Sequence, residues 1–244
     1  MSQKLKKYLF IILVSLAGLN SLAAEDIMIA SGAGYKKPVS AVMKAFETKS
    51  GNHVDAVYGN IHMVANQAKQ TGEICCIIGD KKFLKRLEST VTFADYSTIG
   101  KGRVALIYRK GVELSSVDDI ATNKVQSLFM PHETKAIYGI AGKEIIAHYG
   151  YGVKDKLTQV ATVPQVLSYV LTGEADAGFI NMTEALANKD KLGGYIVVPE
   201  DSYTPIIIVA GFVEDFENKT TTKDLKEFLA APKATEIFES FGLK

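Results

Sequence analysis

Short apolar runs alternate with segments of helical spacing along this chain, and they do so in two series. In the first, IMIAS, HVDAVY and CCII read as strands. Between them Val39, Val42, Met43 and Phe46, then Ile61, Val64, Ala65 and Ala68, recur at the three- and four-residue steps of an apolar helix face. A short helix over 83–87 and a strand over 103–109 follow. The second series sets QSLFM, LTQVAT, DAGFI and YIVV against helices over 138–149, from Pro164 onward and over 183–187. The long apolar run PIIIVAGFV and two closing helices, carrying Leu225, Phe228 and Leu229 and then Ile237, Phe238 and Phe241, end the chain. Strands that alternate with helices pack as mainly parallel sheets covered on both faces. Two such series with a return strand near 208 predict an α/β protein of two lobes, each a mainly parallel sheet flanked by helices, joined by two crossover strands. The first lobe takes 25–104 plus 208–244 and the second takes 105–207.

The first 24 residues read as a cleaved signal peptide. Lys4, Lys6 and Lys7 precede an apolar stretch over 8–19, and small residues follow at Ser21, Ala23 and Ala24. That stretch is about half the ~20 residues a membrane span requires, so stable membrane insertion is not expected and the periplasm is. The formal net charge of the whole chain is +1, and loss of the three leader lysines takes it to −2. A nearly neutral chain offers no electrostatic footprint for nucleic acid. Cys75 and Cys76 are adjacent within an apolar strand, where they point to opposite faces and cannot form an ordinary disulfide. They read as buried structural thiols.

In open parallel sheets ligands lie beyond the C-terminal strand ends, against helix starts. Five strand-to-helix turns qualify: 31–37, 59–63, 131–139, 162–165 and 181–184. Each presents backbone N–H groups without intrahelical acceptors and a partial positive charge. Converging from two lobes, they would hold a small oxyanion. The turn SGAGYKKP departs from a dinucleotide fingerprint, because Lys37 stands where the third small residue belongs. Tyr35, Lys36 and His62 are further anion-site candidates, and Asn181 can donate from its turn or cap the next helix. Glu133 and Glu184 are the acids of these turns; a site without a carboxylate acceptor disfavours protonated anions such as phosphate. His62, His132 and Glu133, with Tyr138 nearby, form an alternative metal-binding set, although their spacing matches no recognised zinc site. No G-x-S-x-G, H-E-x-x-H or phosphate-loop motif occurs, so no enzyme and no cofactor is expected.

The order of elements resembles the type II periplasmic substrate-binding proteins of ABC importers, and within them the molybdate- and tungstate-binding family. The segments GAGYKKPVSAVMKAFETKSG, IYGIAGKEII, LTGEADAGFIN and LKEFLAAPKATEIFESFG carry the likeness, which spans nearly the whole chain after the leader. In that family two hydroxyls of the first lobe, amides of the second and a tyrosine hydroxyl hold the oxyanion. The serine positions fall here at Gly34 and Ile61, the amide positions at Tyr138 and Val163, and the tyrosine position at Asn181. The resemblance therefore implies the scaffold with an altered ligand set. It implies a monomeric receptor for a small oxyanion that docks on an ABC permease with a cytoplasmic ATPase. A transition-metal receptor of the same fold, or an enzyme or sensor built on it, are the rival readings.

Overall fold

The structure, a computed structural model, describes residues 26–244. The leader read over 1–24 lies outside them. Among the described residues, ten strands form two five-stranded sheets. The first sheet holds β1 (Asp26–Gly32), β2 (His53–Gly59), β3 (Ile74–Asp80), β4 (Phe93–Gly102) and β10 (Ile206–Val213), in the order β2-β1-β3-β10-β4. The second holds β5 (Val104–Tyr108), β6 (Leu128–Pro131), β7 (Leu157–Val160), β8 (Ala177–Asn181) and β9 (Gly194–Val197), in the order β7-β6-β8-β5-β9.

Both sheets are mixed. In the first, β2, β1 and β3 pair in parallel, while β10 runs antiparallel to both β3 and β4. In the second, β7, β6 and β8 are parallel and β5 runs against β8 and β9. Four of five strands in each sheet thus share a direction, and the reversed strand is the first one entered after the chain changes sheet. The chain leaves the first sheet between Gly102 and Val104 and returns between Val197 and Ile206.

Strand β4 escapes the pattern reading. Its sequence, FADYSTIGKG, is polar and mostly exposed or half-buried, as suits an edge strand. Ladder bonds to the apolar β10 hold it in place, with Ser97 opposite Ala210 and Gly102 opposite Ile206. What reads as one strand from 103 to 109 is therefore the second half of a longer extended run that changes sheet at Arg103.

Among the described residues, eight α-helices cover the sheets: α1 (Lys36–Ser50), α2 (Ile61–Thr71), α3 (Lys81–Arg86), α4 (Ile137–Tyr149), α5 (Val163–Thr172), α6 (Met182–Ala187), α7 (Thr220–Leu229) and α8 (Pro232–Ser240). Gly51, Gly72, Gly150 and Gly173 end four of them in the left-handed conformation. One apolar core joins residues of both sheets, among them Ile29, Leu106 and Phe179, with Phe46 of α1; a second, around Ile77, Val64, Leu84 and Val209, fills the other face of the first sheet. Each such side chain contributes about 1.5–3 kcal/mol through burial. The closing helices return to the first sheet, where Phe228 of α7 packs on Phe46 of α1 with ring centroids 5.5 Å apart. Cys75 and Cys76 are free and buried, and burial pushes the Cys75 thiol up to about 11. Among the described residues no helix is long and apolar enough to cross a membrane.

Candidate functional site

The three parallel strands of the first sheet end side by side, and so do those of the second. Five of the helices that follow open onto one cavity between the sheets. Its volume is about 70 Å³, room for about five water-sized bodies. The first sheet contributes the turn from β1 into α1 (Gly32, Ala33, Gly34, Tyr35), the turn from β2 into α2 (Gly59, Asn60, Ile61) and the turn from β3 into α3 (Gly79, Asp80, Phe83). The second contributes Lys135, Ala136, Ile137 and Tyr138 at the start of α4, and Ala161, Thr162 and Val163 at the start of α5.

The N–H groups of Ile61, Tyr138 and Val163 stand in first helical turns, where no intrahelical acceptor exists. Local caps fix the turns at Ile61 and Val163. Asn60 Oδ1 accepts from the His62 N–H at 3.0 Å. Gln165 Oε1 reaches back to the N–H of Thr162 at 3.1 Å and of Ala161 at 2.9 Å. The wall between the polar turns is apolar (Ile61, Phe83, Ile137, Val163), and such a lining lowers the local dielectric and strengthens each dipole facing inward.

Of the residues singled out from the sequence, Gly34, Ile61, Tyr138, Val163 and Tyr35 line this cavity, whereas Asn181, Lys36 and His62 are not among its lining residues. Asn181 is fully buried. Its Nδ2 donates to the Gly34 carbonyl at 2.8 Å and its Oδ1 accepts from the Glu184 N–H at 3.2 Å, so it ties one sheet's turn to the other's and caps α6. A side chain at position 34 would place its Cβ 3.0 Å from Asn181 Nδ2 and 3.3 Å from Val163 Cβ. Glycine is what lets the two turns touch. Lys36 is exposed, with its ammonium 5.7 Å from the Tyr58 ring centroid, and His62 lies edge-on to Phe83 at 5.2 Å.

The alternative metal set is not assembled. Among the described residues no group of three or more His, Cys, Asp or Glu side chains is placed to hold a metal ion. His132 Nδ1 is engaged by Thr134 Oγ1 at 3.2 Å, and Glu133 reaches Lys143 at 3.4 Å. Local partners hold these groups, and His62 stands on the other lobe's helix.

Four contacts close the cleft. The hydroxyls of Tyr35 and Tyr138 meet at 2.5 Å, Lys37 pairs with Glu184 at 3.0 Å, Asn181 meets Gly34, and Asn60 Nδ2 donates to the Lys135 carbonyl at 3.1 Å. Burial, then the neighbouring hydroxyl, pushes Tyr35 well above the usual phenol range; burial does the same to Tyr138. Both tyrosines are therefore neutral, and because one hydroxyl donates to the other, the pair keeps one hydrogen to give.

The turn from β3 into α3 is absent from the sequence reading, and it carries the acid of the cavity. Asp80 is 3% exposed. Its Oδ1 accepts from the Phe83 N–H at 2.9 Å and its Oδ2 from the Ile207 N–H at 3.2 Å. Burial holds its carboxyl above the usual carboxylate range against those two bonds. Glu133 and Glu184, the acids expected near the site, do not line it. An aspartate directly before KKFL has the form of a helix cap, which was the available clue. The order β2-β1-β3, which brings that cap beside the β1 turn, is not a sequence property.

Two lobes, each offering helix starts to a shared cavity, define a class of protein that captures a small solute. The comparisons place the chain within it. The profile of the bacterial extracellular solute-binding protein family matches residues 27–244, and the chain belongs to that family. It is 26% identical over 225 residues to the putative ABC transporter substrate-binding lipoprotein YvgL of Bacillus subtilis, covering 88% of this chain and 85% of the relative. It is 25% identical over 240 residues to the molybdate-binding protein ModA of Azotobacter vinelandii, covering 93% of each. The solved periplasmic molybdate-binding protein of Azotobacter vinelandii superposes with a TM-score of 0.80 at 19% identity, over 89% of this chain and 98% of that one. The two-lobed periplasmic-binding-protein fold is shared.

Proposed function

We propose that this protein is the periplasmic receptor of an ABC importer, that it binds a small oxyanion of the molybdate and tungstate kind between its lobes, and that it delivers it to a membrane permease. The observation that carries this reading is the cavity itself. Helix starts from both sheets surround a space of about 70 Å³, and helix starts are suited to anions through their free N–H groups and dipoles. One relative is named as a putative ABC transporter substrate-binding lipoprotein, which supports the importer role, and another as a molybdate-binding protein, which supports the oxyanion. The ligand contacts are assigned to the turns at Gly34, Tyr35, Ile61, Tyr138 and Val163. A receptor of this kind works by closure: the liganded, closed shape is the one a permease is built to read, and the four contacts across the cleft are the means of holding it.

A thermal-shift panel tests the reading. Molybdate, tungstate, sulfate and phosphate are compared with iron, copper and zinc salts. A ligand at one hundred times its dissociation constant adds about 2.7 kcal/mol to stability. At least one oxyanion is expected to raise the melting temperature. A shift with metals and none with any oxyanion ends the proposal.

A further inference from the structure

The chain passes between the two sheets twice, once between Gly102 and Val104 and again between Val197 and Ile206. A third segment, 242–244, lies against both passages. We infer that this segment is a third tie between the lobes, and that Gly242 and Glu200 are positioning residues that limit how far the lobes swing apart. The inference goes beyond the oxyanion reading and holds for any solute the cavity takes.

Helix α8 packs against α1 and β4 on the side of the first sheet. Beyond it Gly242 turns the chain at φ +87°, a left-handed conformation that suits glycine, and its N–H donates to the Glu239 carbonyl at 2.8 Å. Leu243 then sinks into the core that joins both sheets, with 2% of its surface exposed. Lys244 pairs with the free edge of β4: its N–H donates to the Lys101 carbonyl at 3.1 Å, and its own carbonyl accepts from the Lys101 N–H. Toward the second sheet, Gly242 meets α6, which packs on β5 and β8. A Cβ at 242 would stand 2.6 Å from Leu186 Cδ1 and 3.6 Å from Met182 Cγ. The Met182 N–H donates to the Arg103 carbonyl at 2.9 Å, and Arg103 Nη2 donates to the Gly242 carbonyl at 3.4 Å. Segment, first crossover and α6 thus form one closed ring of contacts.

Glu200, on the second crossover, binds the other two passages by charge. Lys101 pairs with it directly, and Lys244 and Arg103 act on it through space; together they hold its carboxyl below the usual range. Two crossovers leave the lobes free to turn about them, and a further contact beside them restricts that turn. The restriction reaches the cleft through α6. Two of the four cleft contacts, Asn181 to Gly34 and Glu184 to Lys37, sit at the start of that helix, and Leu186 at its far end rests beside Gly242. A side chain at 242 would push α6 from this seat. Without the charge of Glu200, three cations remain to repel one another and loosen the segment.

The test places spin labels on α2 and α4 through Met63→Cys and Ala147→Cys, both exposed positions, while the native cysteines are buried. Double electron–electron resonance then reads the spread of distances between the lobes, with and without molybdate. Gly242→Ala and Glu200→Gln are each expected to widen that spread. Each should also weaken molybdate binding about threefold or more, because apparent affinity falls with the fraction of protein in the competent form. Gly242→Ala strains the backbone as well as displacing α6. Leu186→Ala added to it makes room and should narrow the spread again, which relief of strain alone would not do. A spread unchanged from wild type in either folded variant overturns the tie, and a double variant that does not recover overturns the role of Gly242. If Gly242→Ala fails to fold, Glu200→Gln decides. Wild-type protein that takes up no molybdate counts against that ligand alone, and the label distances still decide the tie.

Discussion

Asn181 illustrates how a residue's role depends on what lies across from it. As a strand-end asparagine it can donate to a ligand or cap a helix; in the structure it caps α6 and holds Gly34 of the facing lobe. Two substitutions separate these tasks. Asn181→Ala loses the cap and the bridge and is expected to lower stability by about 1–2 kcal/mol, read by urea unfolding. Asn181→Asp keeps an oxygen for the Glu184 N–H but sets a second one against the Gly34 carbonyl. Ligand affinity should fall in both variants, through weaker closure, while the helix cap survives only in Asn181→Asp. Unchanged affinity in both variants would show that the bridge does not contribute to the closed form. The glycine at 34 was legible as a turn residue. That it makes room for Asn181 and Val163 was not, because those groups are 147 and 129 positions away in the chain.

Elements are held by polar anchors as much as by apolar faces. Asp176, just before β8, accepts from Arg109 Nε at 2.8 Å, from the Gln126 N–H at 2.7 Å and from the Ser127 N–H at 3.1 Å. It joins the end of β5 and the approach to β6 to its own strand. Burial alone would raise its carboxyl, but the Gln126 N–H, the Arg109 guanidinium and the Ser127 N–H outweigh it and hold the group below the usual range. A folded-state value lower than the unfolded one stabilises the protein above about pH 4, and that contribution is lost as pH falls through the folded value. Asp176→Asn should therefore be less stable at pH 7, by on the order of 2 kcal/mol, with the difference shrinking in acid. A difference that persists undiminished at pH 2–3, measured by chemical unfolding, would contradict this account. The strands flanking Asp176 were readable from their apolar runs. Strand β4 was not, because an exposed edge strand has no apolar run and only its pairing with β10 reveals it.

For the molecule as a whole, Gly102 is the position where fold and function meet. It ends β4 at the first crossover, and a Cβ there would stand 2.6 Å from the Tyr138 hydroxyl and 2.9 Å from that of Tyr35. Gly102→Ala should part the tyrosine pair and cost about 1–3 kcal/mol in the closed form. If the proposed function holds, small-angle scattering is expected to show wild-type protein compacting when an oxyanion that raises its melting temperature is added, and the variant compacting less, with a weaker affinity. A variant that closes and binds as well as wild type would remove the tyrosine contact from the closing mechanism. The sequence by itself determined the alternation of strands and helices, the burial of the cysteines and the turns rich in free amides, because these follow from local spacing and backbone chemistry. Tertiary structure alone decided which turns meet. It set the β3 turn and its buried Asp80 in the cavity and sent Asn181 to the lobe contact, because sheet order and the approach of two lobes bring together groups that no local pattern relates.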